Sequence, residues 1–170
     1  MSTERQGPGP VVLRNPAAGE VMYLHAARDG AVHAEVHLDP VHTAPPAHVH
    51  PRSVEAFQVT GGTVEVRVGR RWHALHAGDR ISVAPGTTHA YRNTSGAPAS
   101  FTVLVEPPGR LPEFWRAIYR AAEDGRVTGT GQVHLPVAAG ILRDHLDDIA
   151  LPGLPRPLAR AVLGALRRLP

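Results

Sequence analysis

Along the first two thirds of the chain, polar and apolar residues alternate in short runs, clearest in Thr63-Val64-Glu65-Val66-Arg67-Val68. A period of two puts alternate side chains on opposite faces, the pattern of a half-buried strand. Strand-like runs occupy residues 11–14, 20–26, 31–38, 47–50, 54–60, 63–68, 71–76, 80–84, 88–93 and 99–106. Turn signals lie between them, notably Gly61-Gly62, Gly69-Arg70, Gly78-Asp79 and Pro85-Gly86-Thr87-Thr88. So many short strands predict a β-barrel or sandwich. After Pro107-Pro108-Gly109 the period changes. Leu111, Phe114, Trp115, Ile118, Tyr119 and Ala122 fall at helical spacing, predicting a helix over about 111–123. Beyond a Gly-rich link, Asp124 to Gly131, a second stripe runs through Ala138, Ile141, Leu142, His145, Leu146 and Ile149. A third, after the Pro-laden segment 151–157, uses Leu158, Val162, Ala165, Leu166 and Leu169. The expected organisation is a flexible tail (1–10), a β-barrel (11–107) and a helical extension (108–170), packed on the barrel or at a dimer interface.

The candidate chemistry is a split set of metal-ligand residues. His48-Val49-His50 is followed by Glu55 and, 34 residues further on, by His89 and Asn93. In an extended strand His48 and His50 project to one side, roughly 7 Å apart at their backbones. Strict alternation would send Glu55 to the other face, so the chain must break between them, and Pro51-Arg52-Ser53 supplies the break. Beyond it Glu55, Phe57 and Val59 share a face, as do His89, Tyr91 and Asn93. Three imidazoles and one carboxylate are a donor set for a divalent transition metal.

These motifs resemble those of the cupin superfamily. The first, HxH, four residues, Glu, six residues and Gly, is matched from His48 through Glu55 to Gly62, although its leading Gly is absent and Ala44-Pro45-Pro46-Ala47 stands there. The second is matched by Gly78, Gly86, His89 and Asn93, with Ala84 where the family has Pro and Pro85 one place later. The resemblance covers about residues 10–107 and implies a jelly-roll barrel with His48, His50, Glu55 and His89 on one metal ion. Fe(II) is the leading candidate, with Zn, Mn, Ni and Co as alternatives. It also implies a homodimer. Cupins with this ligand set include dioxygenases, isomerases, decarboxylases and cyclases. The expectation is a metal-dependent enzyme on a small organic molecule, dioxygenation first and isomerisation or cyclisation second, with a non-catalytic ligand-binding barrel as the contrasting reading.

Parity suggests the lining of such a barrel. If Glu55 and His89 point inward, so do Phe57, Val59, Tyr91 and, on the return strand, Val64 and Val66. On the last strand the inward set is either Phe101, Val103 and Val105 or Thr102 and Leu104. The result is a mainly apolar pocket suited to a small, partly aromatic ligand. Tyr91 is the candidate hydrogen-bond donor or acid beside the metal, and Arg52 the candidate contact for an anionic substrate group. His33, His37 and Glu35 share a polar face, and His25, His42, His73, His76, His134 and His145 are expected to be surface or hydrogen-bonded residues.

Composition narrows the class. The chain has 170 residues, enough for one domain with its own core, and no cysteine, which excludes disulfides and thiolate ligands. A net charge of +3 with only 5% aromatic residues lacks the clustered basic patch and stacking platforms of nucleic-acid binding. Arg156, Arg160, Arg167 and Arg168 make the third helix basic and amphipathic, but packing on the protein itself is the expected role. No apolar run has the length of a membrane span or a signal segment, so a cytoplasmic protein is expected.

Overall fold

A computed structural model describes residues 9–43 and 45–169. Most of the expected N-terminal tail, and Ala44, lie outside the described residues. Nine strands are followed by three helices. The strands are β1 (Val11–Asn15), β2 (Glu20–Leu24), β3 (Val32–Leu38), β4 (Val54–Gly61), β5 (Thr63–Val68), β6 (Arg71–His76), β7 (Arg80–Val83), β8 (His89–Arg92) and β9 (Ala99–Glu106). All pairings are antiparallel. One sheet has the order β1-β2-β3-β9-β4-β7, the other β6-β5-β8.

The inward faces are those that alternation selects. Val64 and Val66 of β5 are fully buried, as are Phe57 and Val59 of β4, while Glu65 points outward and pairs with Arg92 directly across the β5–β8 ladder. On β9 the inward set is Phe101, Val103 and Val105, and Leu104 is exposed. The β4–β5 hairpin turns at Gly62, whose φ is +68°. A Cβ there would stand 2.5 Å from the Pro98 carbonyl, so only glycine fits without rearrangement.

The expected strand over 47–50 is not formed. His48 exchanges backbone hydrogen bonds with His89 and Val49 with Ala150, each as an isolated bridge. Pro45, Pro46 and Pro51 flank these residues and carry no backbone N–H, so the ladder cannot propagate in either direction.

Helix α1 (Leu111–Glu123) packs Leu111, Phe114, Trp115, Ile118 and Tyr119 onto the barrel core. The second expected stripe is only partly helical. Helix α2 (Leu135–Asp144) ends before His145, and His145, Leu146, Asp148, Ile149 and Ala150 are buried in a turn that returns to the barrel. Helix α3 (Arg156–Leu166) keeps the expected period but not the expected face. Ala159 and Leu163 are buried with Ala139 and Leu146, whereas Leu158, Val162 and Leu169 are exposed. Of the expected stripe, Leu166 still packs against this cluster, half-buried. Among the described residues no helix is long and apolar enough to cross a membrane.

Candidate metal centre

Three backbone segments, two of them close in sequence and one more than thirty residues further on, meet inside the barrel. β4 brings Glu55, whose backbone lies between Val83 of β7 and Val105 of β9. His89 opens β8, and the bridge to His48 lays the 48–50 segment alongside it. Pro51 and Arg52 form the bend that separates His50 from Glu55. One donor atom from each of His48, His50, Glu55 and His89 lies within 4.8 Å of all the others. Donors at 2.0–2.2 Å from a common ion stand at most about 4.4 Å apart, so four donors gathered this closely are near enough to share one ion after side-chain adjustment.

Each imidazole is oriented from behind. Nδ1 of His48 lies 3.0 Å from the Pro46 carbonyl, that of His50 2.8 Å from the Asp148 carbonyl and that of His89 2.9 Å from the Thr87 carbonyl. A carbonyl only accepts, so each Nδ1 is the N–H donor and each Nε2 keeps its lone pair. Nε2 of His89 and Oε2 of Glu55 approach to 2.7 Å, yet both are buried atoms without an aligned hydrogen bond. Convergent buried lone pairs of this kind are what a cation satisfies, so the residues present fit the metal that the donor set implies.

The electrostatics agree. Burial, reinforced by the neighbouring His89 and His50, pulls the His48 pKa down to about 3. Burial also lowers that of His50, with Glu55 opposing in part. Burial would raise the Glu55 carboxyl, but contact with His89 and the charges of the three imidazoles outweigh it and hold the pKa below its usual value. Burial would depress His89, but Glu55 raises it. Neutral His48 and His50 beside an ionised Glu55 are the protonation states a metal ligand needs, whereas His89, which Glu55 holds towards the protonated form, has to give up that proton for a metal to bind.

The cluster opens on a cavity of about 220 Å³ that runs through the barrel to α1. Phe57, Phe101, Tyr91 and Glu55 line it, whereas Val59 and Val64 lie in the packed core and do not. Arg52 stands outside, 65% exposed, with Nη2 3.4 Å from Oδ1 of Asp148. Asn93 shares the motif but not the site. Its side chain donates to the Asp39 and Ala97 carbonyls and accepts from Ser95, fixing the loop after β8.

Sequence reasoning did not single out the other polar end of the cavity. Glu20, His42, Tyr91 and Tyr119 all line it, and the three others converge on the Glu20 carboxylate. A signal existed for Glu20, which shares the inward parity of Met22 and Leu24 on β2. Nothing local marks His42. Phe114, Trp115 and Ile118 of α1 and Leu142, Ile149 and Leu151 from the rest of the extension close the outer wall.

A β-barrel with one inward cluster of three anchored imidazoles and a carboxylate defines the class: a barrel protein with a candidate mononuclear metal site inside it. Residues 34–105 match the Cupin_2 family, described as a cupin domain. A comparison with curated proteins finds no match. Similar solved structures include an uncharacterized conserved protein with a double-stranded β-helix domain from Klebsiella pneumoniae (24% identity, 57% of this chain and 84% of that one, TM-score 0.51). Others are KdgF from Halomonas sp. (18% identity, 60% and 94%, TM-score 0.52) and an RmlC-like cupin from Shewanella frigidimarina (18% identity, 62% and 92%, TM-score 0.52). At these identities the likeness concerns the fold.

Proposed function

We propose that the protein is a metal-dependent cupin enzyme acting on a small, mainly apolar organic molecule, with dioxygenation as the leading reaction. The observation that supports this most is the convergence of three Nδ1-anchored imidazoles and Glu55 at the end of an apolar cavity. His48, His50, Glu55 and His89 would hold a divalent transition metal, Fe(II) first and Zn, Mn, Ni or Co as alternatives, which would supply Lewis acidity and, as iron, redox chemistry with O₂. Phe57 and Phe101 bound the substrate's apolar body and exclude water. Glu55 serves as fourth ligand or as a base, and Tyr91, whose pKa burial and then the Glu20 charge raise well above its ordinary value, remains a proton donor. We also read the protein as a homodimer.

A second reading, redox-neutral isomerisation or cyclisation on the same centre, is favoured by the Glu20–His42 pair, a carboxylate–imidazole arrangement suited to proton transfer. The test is elemental analysis of protein purified without added metal, alongside a His48→Ala/His89→Ala variant, followed by assays with and without O₂. About one equivalent of iron, lost in the variant, with O₂-dependent turnover is the expected result. One equivalent of zinc or nickel with O₂-independent turnover would favour the second reading. Absence of any bound metal would overturn both and leave a ligand-binding barrel.

A further inference from the structure

Of the three carbonyls that orient the imidazoles, one comes from outside the barrel. We propose that Asp148, in the turn after α2, is a positioning residue of the metal centre, so that docking of the helical extension and binding of the metal strengthen each other. This rests on the metal centre proposed above and makes the extension part of it.

His48 and His89 are held locally, by the carbonyls two residues back at Pro46 and Thr87, but His50 turns to the Asp148 carbonyl across 98 positions of chain. The backbone repeats this division. His48 is bridged to His89, and the His50 carbonyl accepts from the Gly86 N–H, so the barrel holds the main chain at both histidines. Between them Val49 exchanges a pair of 3.0 Å hydrogen bonds with Ala150, two residues after Asp148. Pro45, Pro46 and Pro51 carry no N–H, so no ladder extends from this segment and its position depends on these few bonds.

The turn is in its place tied to the extension. Asp148 and Ile149 donate from the backbone to the His145 carbonyl, and Nδ1 of His145 donates to the Ile141 carbonyl in α2. The Asp148 side chain, 6% exposed, lies against Gly109, where the chain leaves the barrel for α1, and its Oδ1 is 3.4 Å from Nη2 of Arg52. Gly109 has a φ of +51°, and a Cβ there would overlap Oδ1 of Asp148 and stand 2.9 Å from its Cγ. An enclosed side chain has little space to swing clear, so a methyl group at 109 moves the turn that carries the carbonyl. Partners that orient a metal-binding imidazole from behind contribute about 10–100-fold in metal affinity. The coupling is reciprocal: a metal that binds more tightly when the turn is docked holds the turn docked by the same factor. Ile149, Ala150 and Leu151 also line the cavity, so the segment that orients His50 walls the substrate space as well.

The test uses the full chain with Co(II) alone as the probe, in wild type, Gly109→Ala and Asn93→Ala. Gly109→Ala keeps all four ligands, yet should weaken Co(II) binding about 10–100-fold and change the visible spectrum of the bound ion, which reports the arrangement of its ligands. Asn93→Ala controls for lost stability alone and should keep the wild-type affinity and spectrum. In metal-free wild type labelled with ¹⁵N-histidine, His50, assigned by its absence from His50→Ala, should carry its proton on Nδ1, a reading that does not depend on Gly109→Ala folding. Three results would each overturn the proposal: wild-type affinity and spectrum in Gly109→Ala, equal weakening in Asn93→Ala, or a His50 proton on Nε2 in place of Nδ1. A wild type that takes up no Co(II) would overturn the metal centre as well, which sets that failure apart from the other three.

Discussion

Replacing His50 by alanine separates the two roles the structure gives one side chain. His50 is 2% exposed, and its Nδ1 donates to the Asp148 carbonyl at 2.8 Å while its Nε2 faces the metal cluster 3.7 Å from Glu55. The first role concerns the fold without metal. Removing the donor leaves a buried carbonyl unpaired, which costs about 1–3 kcal/mol. At about 2–4 °C per kcal/mol for a chain of this size, the metal-free variant should melt about 2–12 °C below metal-free wild type. The second role appears only with metal. Free Co(II) at a hundredfold excess over its Kd stabilises the wild type by about 2.7 kcal/mol, a rise of about 5–11 °C. His50→Ala should lose that rise. The assay is thermal unfolding of both proteins in chelator and in Co(II), with bound metal counted after gel filtration. A variant that keeps the full Co(II)-induced rise would refute His50 as a ligand. One whose metal-free Tm equals that of wild type would refute the Asp148 anchor.

Asn93→Ala probes the motif residue that stands outside the cluster. It removes a buried side chain that holds two carbonyls and both polar groups of Ser95, and at about 1 kcal/mol per hydrogen bond it should cost about 2–4 kcal/mol in a urea titration. Metal stoichiometry should be unchanged, and its loss would place Asn93 in the site. The metal-free protein should also weaken in acid. The unfolded chain takes a proton on His48 below about 6.5, the folded chain only near 3, so stability present at pH 7 is lost as pH falls between these values, by about 2 kcal/mol at pH 5. Comparing the drop between pH 7.5 and 5.0 with that of His48→Gln checks this, and an equal drop in both would count against it.

Much of the architecture was legible because it depends on local periodicity. Alternation placed Glu55, Phe57 and Val59 on one face of β4 and Val64 and Val66 on one face of β5, since a pleated strand leaves few other arrangements. The same rule misread 47–50, where flanking prolines leave two single bridges in place of a ladder. Periodicity located the helix of 156–166 but not its phase, because which stripe is buried depends on what it meets. Here it meets α2, and the face turned inward carries Ala159 and Leu163 in place of Leu158.

The donor types, their spacing and the strands that carry Glu55 and His89 are readable along the chain, because ligand chemistry and strand parity are properties of neighbouring residues. What surrounds them comes from contacts between distant segments. The Asp148 carbonyl reaches His50 across 98 positions of chain, Tyr119 reaches Glu20 across 99, and His42 reaches Glu20 across 22. Such contacts leave no periodic trace, since each is made by one residue positioned by long-range packing, of the extension against the barrel for Asp148 and Tyr119 and of the loop after β3 against β2 for His42.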